Sequence, residues 1–324
     1  MRLLDRILTE GYTTHRADFP SHMRQWLASM LESAQLVLVD NVAAYHSQEL
    51  ERKLERNEDQ RISVSDFPNV MLPFESTFIE MRVRNHPELQ ISECGVLATM
   101  SEQLKVDVSG LSPATQAHTK EVLAREDARY ILTFFFFQYG RAHGKKPEWQ
   151  ASFMFPVGAE GQILASRNGE FPLVRSVYFP PGLPLPSAYA NWDEVKNVFA
   201  MFILSQFIHP FLLSLSFMHC RNVKMCGEQA PEKLSRKHEK RTGRPLLKYH
   251  VLQIDHMKQV LEKEGSVGSL GLKKALHICR GHFKHYGRDG KGLLFGKHAG
   301  TVWVPMHTRG SPEEGVVVKD YNVS

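Results

Sequence analysis

Tyr130-Ile131-Leu132-Thr133-Phe134-Phe135-Phe136-Phe137-Gln138-Tyr139 decides how this chain is built. The run has the aromatic and β-branched density of a central, buried strand. Its four consecutive phenylalanines read as core, not as a platform for stacked bases. Strand signals surround it. Residues 74–83 alternate, with Phe78, Glu80 and Arg82 on one parity, and residues 96–100 form a short candidate strand. Residues 149–157 and 162–166 flank Gly158-Ala159-Glu160-Gly161, a hairpin signal. Of the two carboxylates near this sheet, Glu75 and Glu80, the reading is one exposed and one structural.

On the N-terminal side, Ser21 is a plausible N-cap. Met23, Trp26, Leu27, Met30, Leu31 and Ala34 follow at helical spacing. The pattern predicts a helix from residue 22 that continues or restarts through 42–56. Residues 61–69 read as a linker. On the C-terminal side, Pro180, Pro181, Gly182, Pro184 and Pro186 break the chain. A long apolar helix is expected over 192–219, kinked near Pro210. Gln206, His209 and the serines within it favour a core helix over a membrane span.

Beyond that helix the chemistry changes. From His219 to Ser324 there are 20 Lys and Arg against 10 Asp and Glu, whereas residues 1–218 carry 20 against 25. A mildly acidic body is thus joined to a strongly basic tail, which points to a polyanionic partner such as nucleic acid. Residues 233–244 read as a basic loop rich in Lys and Arg. A strand is expected over 246–254, a short helix over 257–264, a Gly/Ser linker over 265–271 and a helical turn over 272–276. A strand over 277–286 and a second over 301–307 then pair as a hairpin across the Gly-rich residues 287–300.

The first of these strands reads His277-Ile278-Cys279-Arg280-Gly281-His282-Phe283-Lys284-His285-Tyr286. As one continuous strand it places Arg280, His282, Lys284 and Tyr286 on a single face. A guanidinium, an imidazole, an ammonium and a phenol in a row suit a phosphate backbone or a phosphoryl site. The candidate nucleic-acid-binding residues are Arg236, Lys237, Lys240, Arg241, Arg244, Arg280, Lys284, Tyr286, Trp303 and Arg309. The candidate catalytic residues are His282, Arg280 and His307. Two imidazoles and a cation are the minimum for metal-independent RNA cleavage. Binding without chemistry is the stronger reading of the same residues.

Neither a metal nor a cofactor is expected. Cys220 and Cys226 near His219 lack the spacing of a zinc knuckle. The glycines around residue 290 make no phosphate loop, and no serine sits in a nucleophile elbow. Four scattered cysteines and an N-terminus unlike a secretory signal fit a reducing cytoplasm. Hydrophobic content of 42% and charge of 23% describe a globular chain. The fold class is α+β: N-terminal helices with a mixed, mostly antiparallel sheet, a long buried helix, and a basic C-terminal hairpin module. The division expected is a body over 1–190 and a module over 191–324.

The order Lys233-Leu-Ser-Arg-Lys-His-Glu-Lys-Arg-Thr-Gly-Arg244, then Tyr249 to Ile254, then His277-x-x-Arg280-Gly281-His282-Phe283, then Trp303-x-Pro305, carries a resemblance. It is similar to the C-terminal half of a type V-A anti-CRISPR family, over roughly residues 190–310. That family acts on production of the CRISPR effector at the level of its message. The resemblance implies a cytoplasmic protein of a phage or mobile element, working in a bacterial host. It would bind RNA or a translating ribosome complex and lower expression of a target such as a CRISPR effector by promoting loss of its mRNA. It would also meet a target protein or nascent peptide, and no membrane. Two other classes stand beside this reading: a metal-independent ribonuclease in its own right, and a non-catalytic protein-interaction module.

Overall fold

A computed structural model describes residues 2–14, 21–55, 63–83, 91–102, 125–140, 146–165, 174–177, 207–254, 275–279, 282–287, 292–293, 299–304, 307–309 and 311–316. The fold is α+β, as the residue patterns require. Two compact units are present: Met1–Ser216 with Met225–Leu252, and Phe217–Lys224 with Gln253–Ser324. The boundary therefore does not coincide with 190/191. The segment Met225–Leu252 belongs with the N-terminal body, because its strands extend the body's sheet.

The elements of the first unit start with α1 (Leu3–Glu10), β1 (Thr13–Thr14), α2 (Ser21–Ser33), β2 (Gln35–Leu38) and α3 (Asp40–Glu55). The strands β3 (Thr77–Arg82), β4 (Ile91–Glu102), β5 (Tyr130–Gly140), β6 (Glu148–Val157) and β7 (Val174–Val177) follow. Then come α4 (His209–Met218), β8 (Val223–Glu228), α5 (Glu232–Thr242) and β9 (Tyr249–Ile254). The strands make a nine-stranded sheet in the order β1-β6-β5-β4-β3-β2-β9-β8, with β7 added on β6. The meander β3-β4-β5-β6-β7 is antiparallel, while β2 pairs in parallel with both β3 and β9.

The phenylalanine run lies in β5, flanked by β4 and β6, and serves two cores at once. Alternation sends Phe135 and Phe137 to one face and Phe134 and Phe136 to the other. On the first face they join Leu3, Leu4 and Ile7 of α1 and Leu27 and Leu31 of α2. On the second, the Phe134 ring lies 6.5 Å from Phe211 and that of Phe136 lies 5.9 Å from Phe207. Both contacts are with the apolar segment that leads into and forms α4. The body is thus a sheet covered by helices on both sides, and the whole run is buried.

Several expected elements are revised. Of the two N-terminal alternatives the helix restarts, as α3, and a strand that was not expected, β2, lies between. Leu36, Val37 and Leu38 are buried there, which turns an apolar stretch at a helix end into a parallel strand. The strand expected at 162–166 reduces to one bridge, Val157 to Ile163, closing the turn at Gly158 to Gly161. α4 begins at His209, after a π-helical turn at Phe207 and Ile208 next to Pro210. Residues 192–206 lie outside the described residues, as do the expected helix at 257–264 and the linker at 265–271. Residues 275–276, expected in a helical turn, are strand. Among the described residues no helix is long and apolar enough to cross a membrane.

Two residues on the α1 side of the sheet set its tolerances. Gly95 of β4 pairs with Glu80 of β3, and a Cβ there would meet the Phe78 ring at 2.7 Å. Phe78 is fully buried and cannot give way freely. Gly95→Ala should therefore lower stability by about 1–3 kcal/mol, read as a lower urea midpoint at unchanged slope. An unchanged midpoint would mean the ring has room to move. Glu80 itself is wholly buried, whereas Glu75 is exposed, as expected of the pair. The Leu4 amide at the start of α1 donates to the Glu80 carboxylate at 3.2 Å. Burial pushes this acid up to about 8, and the nearby Glu93 adds to the rise. The amides of Leu3 and Leu4 and the charge of Arg2 oppose it.

Candidate nucleic-acid interface

Residues 233–244 are not a loop. Residues 232–242 form α5. Pro231 sits just before the first turn with φ −50°, where its fixed dihedral favours a helix start. Glu232 lies at the N-terminus and Lys240 and Arg241 in the last turn, each matching the helix dipole. Gly243 ends the helix in the left-handed region, φ +79°, donating to the Glu239 carbonyl at 2.8 Å. Sequence periodicity missed this helix because it has no apolar stripe.

The helix changes what the basic residues can do. At about 100° per residue, Lys233, Arg236, Lys237, Lys240 and Arg241 fall within an arc of roughly 140°. All five are exposed. Ser235, His238 and Thr242 occupy the opposite face. There the Ser235 hydroxyl accepts from the Leu246 amide at 3.1 Å, and His238 is buried. Arg236 pairs with Glu232 on the same exposed surface, a contact that water weakens. Lys233, Lys237, Lys240 and Arg241 have no acidic partner among the described residues. The following segment is tied down. Arg244 bonds Glu32 of α2 at 3.0 Å, and the Leu247 amide donates to Asp5 of α1 at 3.1 Å. Arg236, Lys237, Lys240 and Arg241 are thus gathered on one face, while Arg244 is turned to an ion pair beside it.

Next to that ion pair is a cleft of about 800 Å³. Leu8, Leu246 and Leu247 give it apolar walls, and Glu32, Arg244 and Lys248 give it charge.

The second unit holds the other candidates. Its strands are β10 (Ala275–Cys279), β11 (His282–Tyr286), β12 (Gly300–Val304), β13 (His307–Arg309) and β14 (Ser311–Val316). The expected single strand over 277–286 is two strands in two sheets. Among the described residues β10 pairs with β13 and β14, and β11 pairs with β12. Arg280 lies outside the described residues. The hairpin itself forms, with Phe283 opposite Trp303.

The two pairings keep one register: His282 lies opposite Val304, and His307 lies opposite Cys279, three positions further along the same two arms. His282 and His307 are therefore not cross-strand partners. The side chains of His307 and Arg309 lie outside the described residues. Lys284 and Tyr286 do share a side of β11, with the ammonium 4.9 Å from the ring centroid. Trp303 is a core residue, not a surface for bases. It is buried, its ring packs on Phe217 and Phe283 at 4.7 and 4.8 Å, and Asn222 bonds its backbone on both sides. A tryptophan opposite a phenylalanine on a hairpin more often closes a small core than binds a ligand. Cys220 lies in the same unit, its thiol pushed up to about 12 by burial. Among the described residues no three His, Cys, Asp or Glu side chains gather closely enough to hold a metal ion.

The chain matches no protein-family model, no curated protein and no solved structure.

Proposed function

We propose that the protein is an RNA-binding regulator of the kind its sequence resembles. It holds RNA, free or within a translating ribosome complex, and lowers expression of a target such as a CRISPR effector by promoting loss of its mRNA. The observation that carries the RNA reading is the face of α5, where five exposed cations share one arc. Such a face is suited to phosphates, which supply most of the affinity in sequence-independent binding. Lys284 and Tyr286 of β11 offer a second, smaller contact of the same chemistry. The cleft bounded by Leu8, Leu246 and Leu247, with Glu32 and Arg244 at hand, suits a short segment of the target protein or nascent peptide. A ribonuclease built on His282 and His307 gains no support, because the two residues are not cross-strand partners.

The test is a message half-life. The protein is produced in a bacterium together with a target gene, transcription is stopped, and the target mRNA is followed. The expected result is faster decay with the wild-type chain and restored decay with Lys237→Ala/Lys240→Ala/Arg241→Ala. Equal decay with and without the wild-type chain would end the regulatory reading.

A further inference from the structure

We infer that the α5 face binds the double-helical form of RNA in preference to the single strand, and without regard to sequence. This rests on the RNA-binding reading above and narrows it to one substrate class.

Three features of the helix carry the inference. First, α5 reads Glu-Lys-Leu-Ser-Arg-Lys-His-Glu-Lys-Arg-Thr and contains no Phe, Tyr or Trp. Proteins that grip single strands stack their bases on aromatic rings beside the cations. This face offers cations with one acid among them, Glu232 paired to Arg236, and Leu234 as a large apolar neighbour. It gains nothing from unpaired bases and most from closely spaced phosphates, which a duplex presents on two strands at once.

Second, the cations form two rows. Lys233, Lys237 and Arg241 follow one i, i+4, i+8 line, and Arg236 and Lys240 follow another, roughly 60–100° away around the helix. Each row covers one to two turns. Two parallel rows of long, flexible cationic side chains match the two phosphate strands that border a groove.

Third, α5 is seated, not projecting. On its inner side His238 is buried, and the Ser235 hydroxyl accepts from the Leu246 amide of the segment that follows the helix. Its exposed arc carries no Asn or Gln with which to read adenine edges in a B-form major groove. It can lie over the wide, shallow minor groove of A-form RNA and touch the phosphates on either edge. Contacts of that kind fix position and carry no base information.

The experiment uses the full chain and fluorescence anisotropy. The probes are a blunt RNA duplex of about 20 base pairs, one of its strands chosen to be unstructured, a DNA duplex of the same sequence, and a second RNA duplex of unrelated sequence. The length exceeds the roughly 16 base pairs that a surface-bound duplex reader spans. The expected result is duplex RNA bound at least about tenfold more tightly than the single strand or the DNA duplex. The two RNA duplexes should agree within about twofold. Lys237→Gln/Lys240→Gln, with an unchanged thermal midpoint, should bring the duplex down to the single-strand level.

A single strand that binds as well as the duplex overturns the inference and leaves RNA binding standing. A DNA duplex that binds as tightly as RNA overturns it too, as does a strong difference between the two RNA sequences. Polyglutamate that competes as well as duplex RNA would show a face for acidic protein and overturn it. No binding of any probe at low salt removes the RNA-binding reading itself.

Discussion

Glu80→Gln removes most of the pH dependence of this protein's stability between about pH 5 and 8. Glu80 is wholly buried beneath the start of α1, and its acid is raised from the usual 4.5 to about 8. Over that interval the folded state holds a proton that the unfolded state has released. Stability contributed by the protonated acid is complete below about 4.5 and is lost as pH climbs through 8. The slope is roughly 1.4 kcal/mol per pH unit, so the alkaline end lies several kcal/mol below the acid end from this group alone. Arg2, Glu93 and Cys94 lie near enough to act on the same charge, but the glutamine leaves them in place. Urea midpoints at half-unit steps of pH give the answer. Wild-type protein should weaken steadily from pH 5 to 8, while the variant falls less steeply, keeping the contribution of Glu93, whose acid burial also raises. Parallel curves for the two proteins would show that Glu80 is ionised in the folded state throughout.

Reversing charge on α5 should weaken RNA binding at low salt by at least about a hundredfold. In Lys233→Glu/Lys237→Glu/Lys240→Glu, each site loses a phosphate contact and gains a repulsion. All three side chains are exposed, so the fold should survive, with changes near 0.5 kcal/mol per site. Lys240→Glu also puts an acid in the last turn of the helix, which costs a further few tenths of a kcal/mol. Titration of labelled RNA with both proteins, alongside circular dichroism, separates lost binding from lost structure. A folded variant with wild-type affinity would move the interface away from α5.

The parts of the fold that sequence makes legible are those where burial imposes a period. Phe134 to Phe137 announce a central strand because their aromatic density favours a strand, and a strand with core on both faces hides all four. The hairpin of β11 and β12 is legible from its glycine-rich connection and from the aromatic pair Phe283 and Trp303. The same pair shows the limit of that reading. An aromatic among basic residues suggests a stacking surface, yet Trp303 is needed to close a core with Phe217.

What escaped sequence was the structure of polar segments. α5 has almost no apolar periodicity, so a helix held by Pro231, Gly243 and the dipole looked like a loop. Its cations were named correctly as residues but could not be placed on one face without the helix. The converse happened at residues 277–286. Alternation suggested one strand, whereas the described residues form two, β10 and β11, which keep one register against β13 and β12. β10 also takes β14 as a parallel neighbour, a long-range pairing that leaves no local mark. The strand β2 was hidden for a related reason, since Leu36, Val37 and Leu38 fit a buried helix as well as a buried strand.

The salt dependence of RNA binding tests the central claim most directly. Affinity of the full chain for duplex RNA is measured from about 50 to 200 mM salt and plotted as log K against log salt. With four to five phosphates held by the α5 face, the slope should be about −3.5 to −4.5. In the triple Glu variant it should shrink by about 3, one for each cation removed. A wild-type slope near zero, or a variant slope equal to the wild type's, would contradict phosphate binding by α5.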